Sequence, residues 1–136
     1  MPRSLVDTNV LVYAEDGREP EKRAKAIALI ESLSAVGDFV LSVQCLNEFS
    51  SVAFRRGLPV AEVQDILATW TALSEVLPLT HEATNAALAA VDTHGLSFWD
   101  ALIWATAHTA GVPVLFSEDF QHGRELEGVR FVNPFI

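Results

Sequence analysis

Short apolar runs of strand type alternate along this chain with stretches patterned as helices, which restricts it to an α/β architecture with a parallel sheet covered on both faces. The spacing predicts strands over residues 3–6, 38–42, 76–79, 112–116 and 129–132. Helical patterns fill the intervals over 8–13, 20–36, 43–56, 60–74, 81–94 and 98–110. The punctuation agrees with the periodicity. Pro20 suits a first helical turn, Thr80 and Ser97 stand at N-cap positions, and Gly37, Gly57, Gly95 and Gly111 follow the last periodic residues. A length of 136 residues fits one domain, 1–136, with no internal repeat or linker.

The first strand ends on a carboxylate, in Leu5-Val6-Asp7-Thr8-Asn9. Sheets of this class hold their ligands outside the carboxyl edge of the strands, so Asp7 falls where chemistry is expected. Three further stretches place acids in unusual company: Asn47-Glu48-Phe49 early in a helix, Trp99-Asp100-Ala101 opening an almost wholly apolar helix, and Ser117-Glu118-Asp119 just after the run ending at Phe116. Each acid has an ordinary explanation. Asp7 can cap a helix, Glu48 borders an apolar stripe, Asp119 sits in a turn, and Asp100 occupies a third helical position, where an acid is favoured by about 0.3 to 1 kcal/mol. Independent caps and turns, however, need no common placement, whereas all four acids can face one edge of one sheet. Such a cluster of hard oxygen donors suits Mg2+ or Mn2+.

The formal charge of -9 excludes a general nucleic-acid coat, which needs a basic face against phosphates. It leaves a metal-dependent nuclease open, because the cation then becomes the group that meets phosphate. The basic residues cluster as Lys22, Arg23 and Lys25 and as Arg55 and Arg56; solvated helix faces and phosphate contacts are equally compatible with them. The lone Cys45 reads as a packing residue. No apolar run approaches the roughly 20 residues of a membrane span, and a soluble, cytoplasmic protein is expected. A receiver-type signalling domain would need a lysine late in the sheet, and the only lysines are Lys22 and Lys25. A dehalogenase-type phosphatase would want an aspartate where Asn9 stands.

Four motifs in register carry a resemblance to a known family: LVDTNVLVY at the start, NEF at 47–49, FWDALIWATA at 98–107 and LFSEDFQHG at 115–123. The chain resembles the PIN-domain ribonucleases, and more closely the VapC-type toxins of bacterial toxin-antitoxin pairs. The resemblance implies a three-layer fold with about five strands in the order 3-2-1-4-5. It implies that Asp7, Glu48, Asp100 and Asp119 hold Mg2+ or Mn2+, with Asn9 and Ser117 as supporting polar residues; Glu118 is a second candidate for the fourth acid. It implies endonucleolytic cleavage of RNA, with single-stranded loops as targets, a cognate antitoxin as partner, and a homodimer. A housekeeping nuclease and a non-catalytic RNA-binding module of the same fold are the alternatives.

Leu46, Phe49, Phe54, Val63, Trp70 and Leu73 supply more apolar surface than one small sheet needs, which predicts a subunit interface or a groove for a partner helix. Among the histidines, His81, His94 and His108 read as surface or packing residues, and His122, three residues past Asp119, is the one close to the candidate site.

Overall fold

The computed structural model describes residues 2–136. In chain order the elements are β1 (Ser4–Val6), α1 (Thr8–Ala14), α2 (Pro20–Ala35), β2 (Phe39–Ser42), α3 (Val43–Arg55), α4 (Val60–Leu73), β3 (Glu75–Leu77), α5 (His81–His94), α6 (Phe98–Thr109), β4 (Val114–Phe116), β5 (Glu125–Leu126) and β6 (Val129–Val132). One sheet collects the strands in the order β3-β2-β1-β4-β6-β5. All pairings are parallel except the β5–β6 hairpin.

β1 is central: Leu5 registers with Val40 of β2 on one side and Leu115 of β4 on the other. The connection runs outward from β1 in both directions, so the switch in strand order falls between β1 and β4, where a ligand crevice opens beyond the strand ends. Leu5, Val6, Val40, Leu41 and Leu115 are sealed from solvent, as strands covered on both faces must be. The covering helices follow their sequence patterns. α6 is buried continuously from Ala101 to Ala107, and α5 turns Ala83, Ala87 and Ala90 inward, where side chains of one carbon allow the two helices to approach closely. Ser42, Thr80 and Ser97 each accept a backbone N–H as N-caps, and Gly95 closes α5 at φ 67°.

The structure departs from the pattern in three places. A sixth strand, β5, has only two residues, too few for any periodicity; it pairs back on β6 through Glu127 and Gly128, whose φ values of 45° and 86° are those of a tight hairpin turn. The strand expected fifth is therefore β6, and it lies beside β4 as expected. β4 starts at Val114 rather than Val112, because Pro113 has no N–H for the ladder and the Val112 N–H instead donates to the Ala107 carbonyl behind α6. β3 stops at Leu77, before Pro78.

Helix α4 divides its apolar residues between the chain's own core and the surface. Val63 and Trp70 are buried against the chain's own α3, with the Trp70 and Phe49 rings 4.8 Å apart, edge to face. Phe49, Val63 and Trp70 thus belong to the core, while Phe54, Val60 and Leu73 remain exposed. Among the described residues no helix is long and apolar enough to cross a membrane.

Candidate functional site

Asp7 leaves β1 and caps α1, accepting the Thr8 N–H at 2.7 Å through Oδ1. It is a cap and more than a cap. Its Oδ2 accepts the Ser117 hydroxyl at 2.8 Å and the Asn9 amide at 3.3 Å, and only 7% of the residue is exposed. All of these donors are neutral. Burial pushes the Asp7 carboxyl up to about 7; the Ser117 and Thr8 hydrogen bonds oppose the rise, and the nearby charges of Asp119 and Glu48 add to it.

The turn after β4 is fastened to this point by Asn9 and Ser117. The Asn9 amide nitrogen stands 3.0 Å from Ser117 Oγ and 3.1 Å from Asp119 Oδ2, and its Oδ1 accepts the Glu118 N–H. Ser117, fully buried, also accepts the Asp119 N–H. Asp7 and Asp119, 112 positions apart in sequence, therefore share one amide donor at the β1–β4 switch. The neighbouring Glu118 points elsewhere: its carboxylate accepts from Tyr13 Oη at 2.8 Å and pairs with Lys22 Nζ at 3.1 Å.

Glu48 reaches the same edge from α3, held by Gln44 one turn earlier, whose Nε2 donates to Glu48 Oε1 at 2.8 Å and to the Trp99 carbonyl at 3.1 Å. Sequence reading missed Gln44; a glutamine four residues before the acid, at the helix start after β2, was the signal available. Asp100 sits in the first turn of α6, its N–H capped by Ser97 at 3.4 Å. Its carboxyl is raised by partial burial, against the Ser97 hydrogen bond and with a contribution from Asp119. The electrostatic neighbours thus run Glu48, Asp7, Asp119, Asp100: an open row of carboxylates. Among the described residues no three acidic, histidine or cysteine side chains are gathered closely enough to form a ready-made metal centre. A cation shared by more than two of these acids requires side-chain rotation.

The donor set nonetheless fits a hard divalent ion. The four acids offer only oxygen donors, and among the described residues the innermost carboxylate carries no cationic partner and the buried oxygens Thr8 Oγ1 and Gln44 Oε1 have no hydrogen-bond partner. Beside these acids lies a cleft of about 590 Å³ whose lining includes Asn9, Glu48, Asp119, Arg55 and Arg56. Cys45, 3.9 Å from Asp7, is wholly buried, and burial raises its thiol above the ordinary value, the state of an inert packing residue. His122 stands outside the site; its Nδ1 accepts the Asn133 N–H.

A family model described as PIN domain matches residues 4–124. Among curated proteins none matches the chain. Similar solved structures include a toxin-antitoxin complex from Klebsiella pneumoniae (19% identity, 96% of this chain and 97% of that one, TM-score 0.74). VapBC2 from Rickettsia felis bound to a DNA fragment from their promoter is similar at 16% identity, over 94% and 96% of the two chains, with a TM-score of 0.69. The sarcin-ricin loop cleaving toxin VapC20 of Mycobacterium tuberculosis is similar at 22% identity, over 93% and 98%, with a TM-score of 0.65.

Proposed function

Because the chain belongs to the PIN domain family, we propose that it is a divalent-metal-dependent endoribonuclease acting as the toxin of a toxin-antitoxin pair. The observation that carries this reading is Asp7: a buried carboxylate at the sheet's switch point, joined to Asp119 through Asn9 and Ser117, with no cation among the described residues to match it. The similar solved structures support the biological setting, since they include a toxin-antitoxin complex and a sarcin-ricin loop cleaving toxin.

Asp7, Asp119, Glu48 and Asp100 would hold Mg2+ or Mn2+. Bound there, the ion would supply charge stabilisation at the phosphoryl group and a more acidic water for in-line attack. The chain's residues prepare that arrangement. Ser117 and Asn9 fix the Asp7 carboxylate and tie the Asp119 turn to it; Gln44 fixes the rotamer of Glu48; burial keeps Asp7 in a low-dielectric setting, while Glu48 and Asp119 face the solvent from which substrate arrives. A bound cation would favour the ionised form of the Asp7 carboxyl.

A basic antitoxin segment complements this acidic cleft, and an arginine or lysine entering it would pair with the same carboxylates. A homodimer would use the apolar side chains that the fold leaves exposed on α3 and α4, Phe54, Val60 and Leu73. The test is cleavage of single-stranded RNA by the purified protein with Mn2+ or Mg2+ and with the ion chelated. Metal-dependent internal cuts that vanish in Asp7→Asn are expected; equal cleavage with chelator, or by that variant, overturns the assignment.

A further inference from the structure

Two side chains beside Glu48, Arg55 on α3 and Trp99 at the start of α6, are committed to little within the fold. Arg55 lines the cleft and has no hydrogen-bond or ion-pair partner among the described residues, whereas its neighbour Arg56 is committed to Asp16 at 3.1 Å. Trp99 is 62% exposed, although it adjoins Asp100 and its carbonyl is pinned by the same Gln44 that holds Glu48. Its one aromatic contact among the described residues is with Phe98, the ring centroids 5.2 Å apart. Gln44, Glu48, Val52 and Arg55 follow each other at spacings of four, four and three, so they lie on one face of α3 over about 16 Å of helix. Along that face Gln44, bonded to the Trp99 carbonyl of α6, comes first, then Glu48, then a guanidinium unpaired among the described residues.

We propose that this face is the track of the RNA, with Trp99 stacking a base on one side of the scissile phosphate and Arg55 binding a backbone phosphate on the other. The proposal rests on the nuclease reading and specifies how that site grips its substrate. The chemistry is that of single-strand recognition: a large exposed π-face accepts any unstacked base, and a planar guanidinium takes phosphate. In a chain of charge -9 the general field repels RNA. Local contacts must therefore hold the strand, and Lys22, the cation nearest Glu118, is already paired.

The experiment uses tryptophan emission in the Asp7→Asn protein, so that the strand stays intact, with Mg2+ and a short single-stranded oligoribonucleotide of mixed sequence. Trp70 and Trp104 are 6% and 2% exposed, so quenching by added RNA reports Trp99. Quenching is expected. With an end-labelled strand, affinity should fall about tenfold in Trp99→Ala, and largely recover in Trp99→Phe. Arg55→Gln should weaken binding and flatten its salt dependence by about one counterion. In the otherwise wild-type enzyme Trp99→Ala should raise KM with little change in kcat. RNA that is bound and cut without quenching, with affinity indifferent to Trp99, overturns this proposal and leaves the nuclease reading standing. So does a Trp99→Ala protein that loses only antitoxin binding. RNA neither bound nor cut by the wild type brings down both.

Discussion

Asp7 and Asp16 flank helix α1 at its two ends, are buried to the same degree, at 7% and 8% exposed, and meet opposite surroundings. Asp16 takes a two-pronged contact from Arg18 at 3.0 and 3.1 Å and a third from Arg56 at 3.1 Å. The Arg18 hydrogen bonds, with the backbone N–H of Arg18 behind them, hold its carboxyl well below the usual carboxylate range. Asp7 receives only a hydroxyl, an amide and a backbone N–H, and faces two more acids. The contrast between a neutralised aspartate and one nine residues away that has no cationic partner among the described residues supports the proposed ion-binding role of Asp7.

The largest effect expected is on cleavage. Asp7→Asn preserves the size and the acceptor to Thr8 but removes the charge, and should lower RNA cleavage at least about hundredfold, as loss of a charge at the reacting centre does. Asp16→Asn leaves the carboxylate row untouched and should cut within a few-fold of wild type. Initial rates at saturating Mn2+ measure both; comparable losses in the two variants would erase the distinction.

Stability should move the other way. Asp16→Asn strands two arginines and should lower the melting temperature by several degrees, whereas Asp7→Asn without metal should hold or raise it, because a buried like-charge contact disappears. The pH dependence of the two residues also differs in sign. Asp16, with its depressed value, contributes stability that is complete above the unfolded value of 3.8 and is lost only on further acidification. Asp7, raised to about 7, binds a proton in the folded state that the unfolded chain releases, so its effect lowers stability as pH climbs from about 4 to about 7. Melting of the metal-free protein between about pH 5 and pH 8 should therefore show a downward slope that flattens in Asp7→Asn, at about 1.4 kcal/mol per pKa unit displaced. An identical slope in both proteins would falsify the account of Asp7.

Metal comes next in size. An ion present at about a hundred times its Kd stabilises by about 2.7 kcal/mol, so millimolar Mg2+ or Mn2+ should raise the melting temperature of the wild type and of Asp16→Asn by similar amounts, and that of Asp7→Asn by clearly less. Equal shifts in all three would place the ion somewhere other than beside Asp7.

Much of this was legible in the chain because local rules coincide with global ones. Alternating strands and helices dictated the parallel sheet; Thr80, Ser97 and Gly95 marked helix ends; and Asp7 and the Ser117 turn could be placed at one edge by strand direction alone. What sequence could not supply was partnership. Nothing in Arg55-Arg56 distinguishes the residue that pairs with Asp16 from the one that faces the cleft, since the difference depends on where α1 ends relative to α3. The apolar positions of α4 were visible, but their periodicity is silent on what covers them: Trp70 turned out to pack on Phe49, so Trp70→Ala tests the core rather than an interface. Nor could periodicity register a two-residue strand such as β5, although Glu127-Gly128 between Leu126 and Val129 has the shape of a hairpin turn.

The same reasoning, matched against unmatched charge, applies to the adjacent pair Glu118 and Asp119, which sequence left as rivals for one role. Glu118 is a half-buried analogue of Asp16: Tyr13 and Lys22 already satisfy its two oxygens, and Lys22 also lies 4.6 Å from the Tyr13 ring centre, which ties the residue to a small polar and aromatic cluster. Asp119 is the analogue of Asp7, bonded through its side chain only to a neutral amide and close enough to Asp100 to raise that acid's carboxyl. Asp119→Asn should therefore reduce cleavage nearly as far as Asp7→Asn. Glu118→Gln should cost less than about tenfold, because a partly exposed pair of this kind contributes only about 0 to 1 kcal/mol. Its effect should appear in a lower affinity for the strand or a slightly lower melting temperature rather than in kcat. The measurement is kcat and KM for the two variants side by side. If Glu118→Gln proved the more damaging in kcat, Lys22 and Tyr13 would have to be a resting clasp that releases Glu118 when the ion binds, and the row of acids would run through Glu118 instead of Asp119.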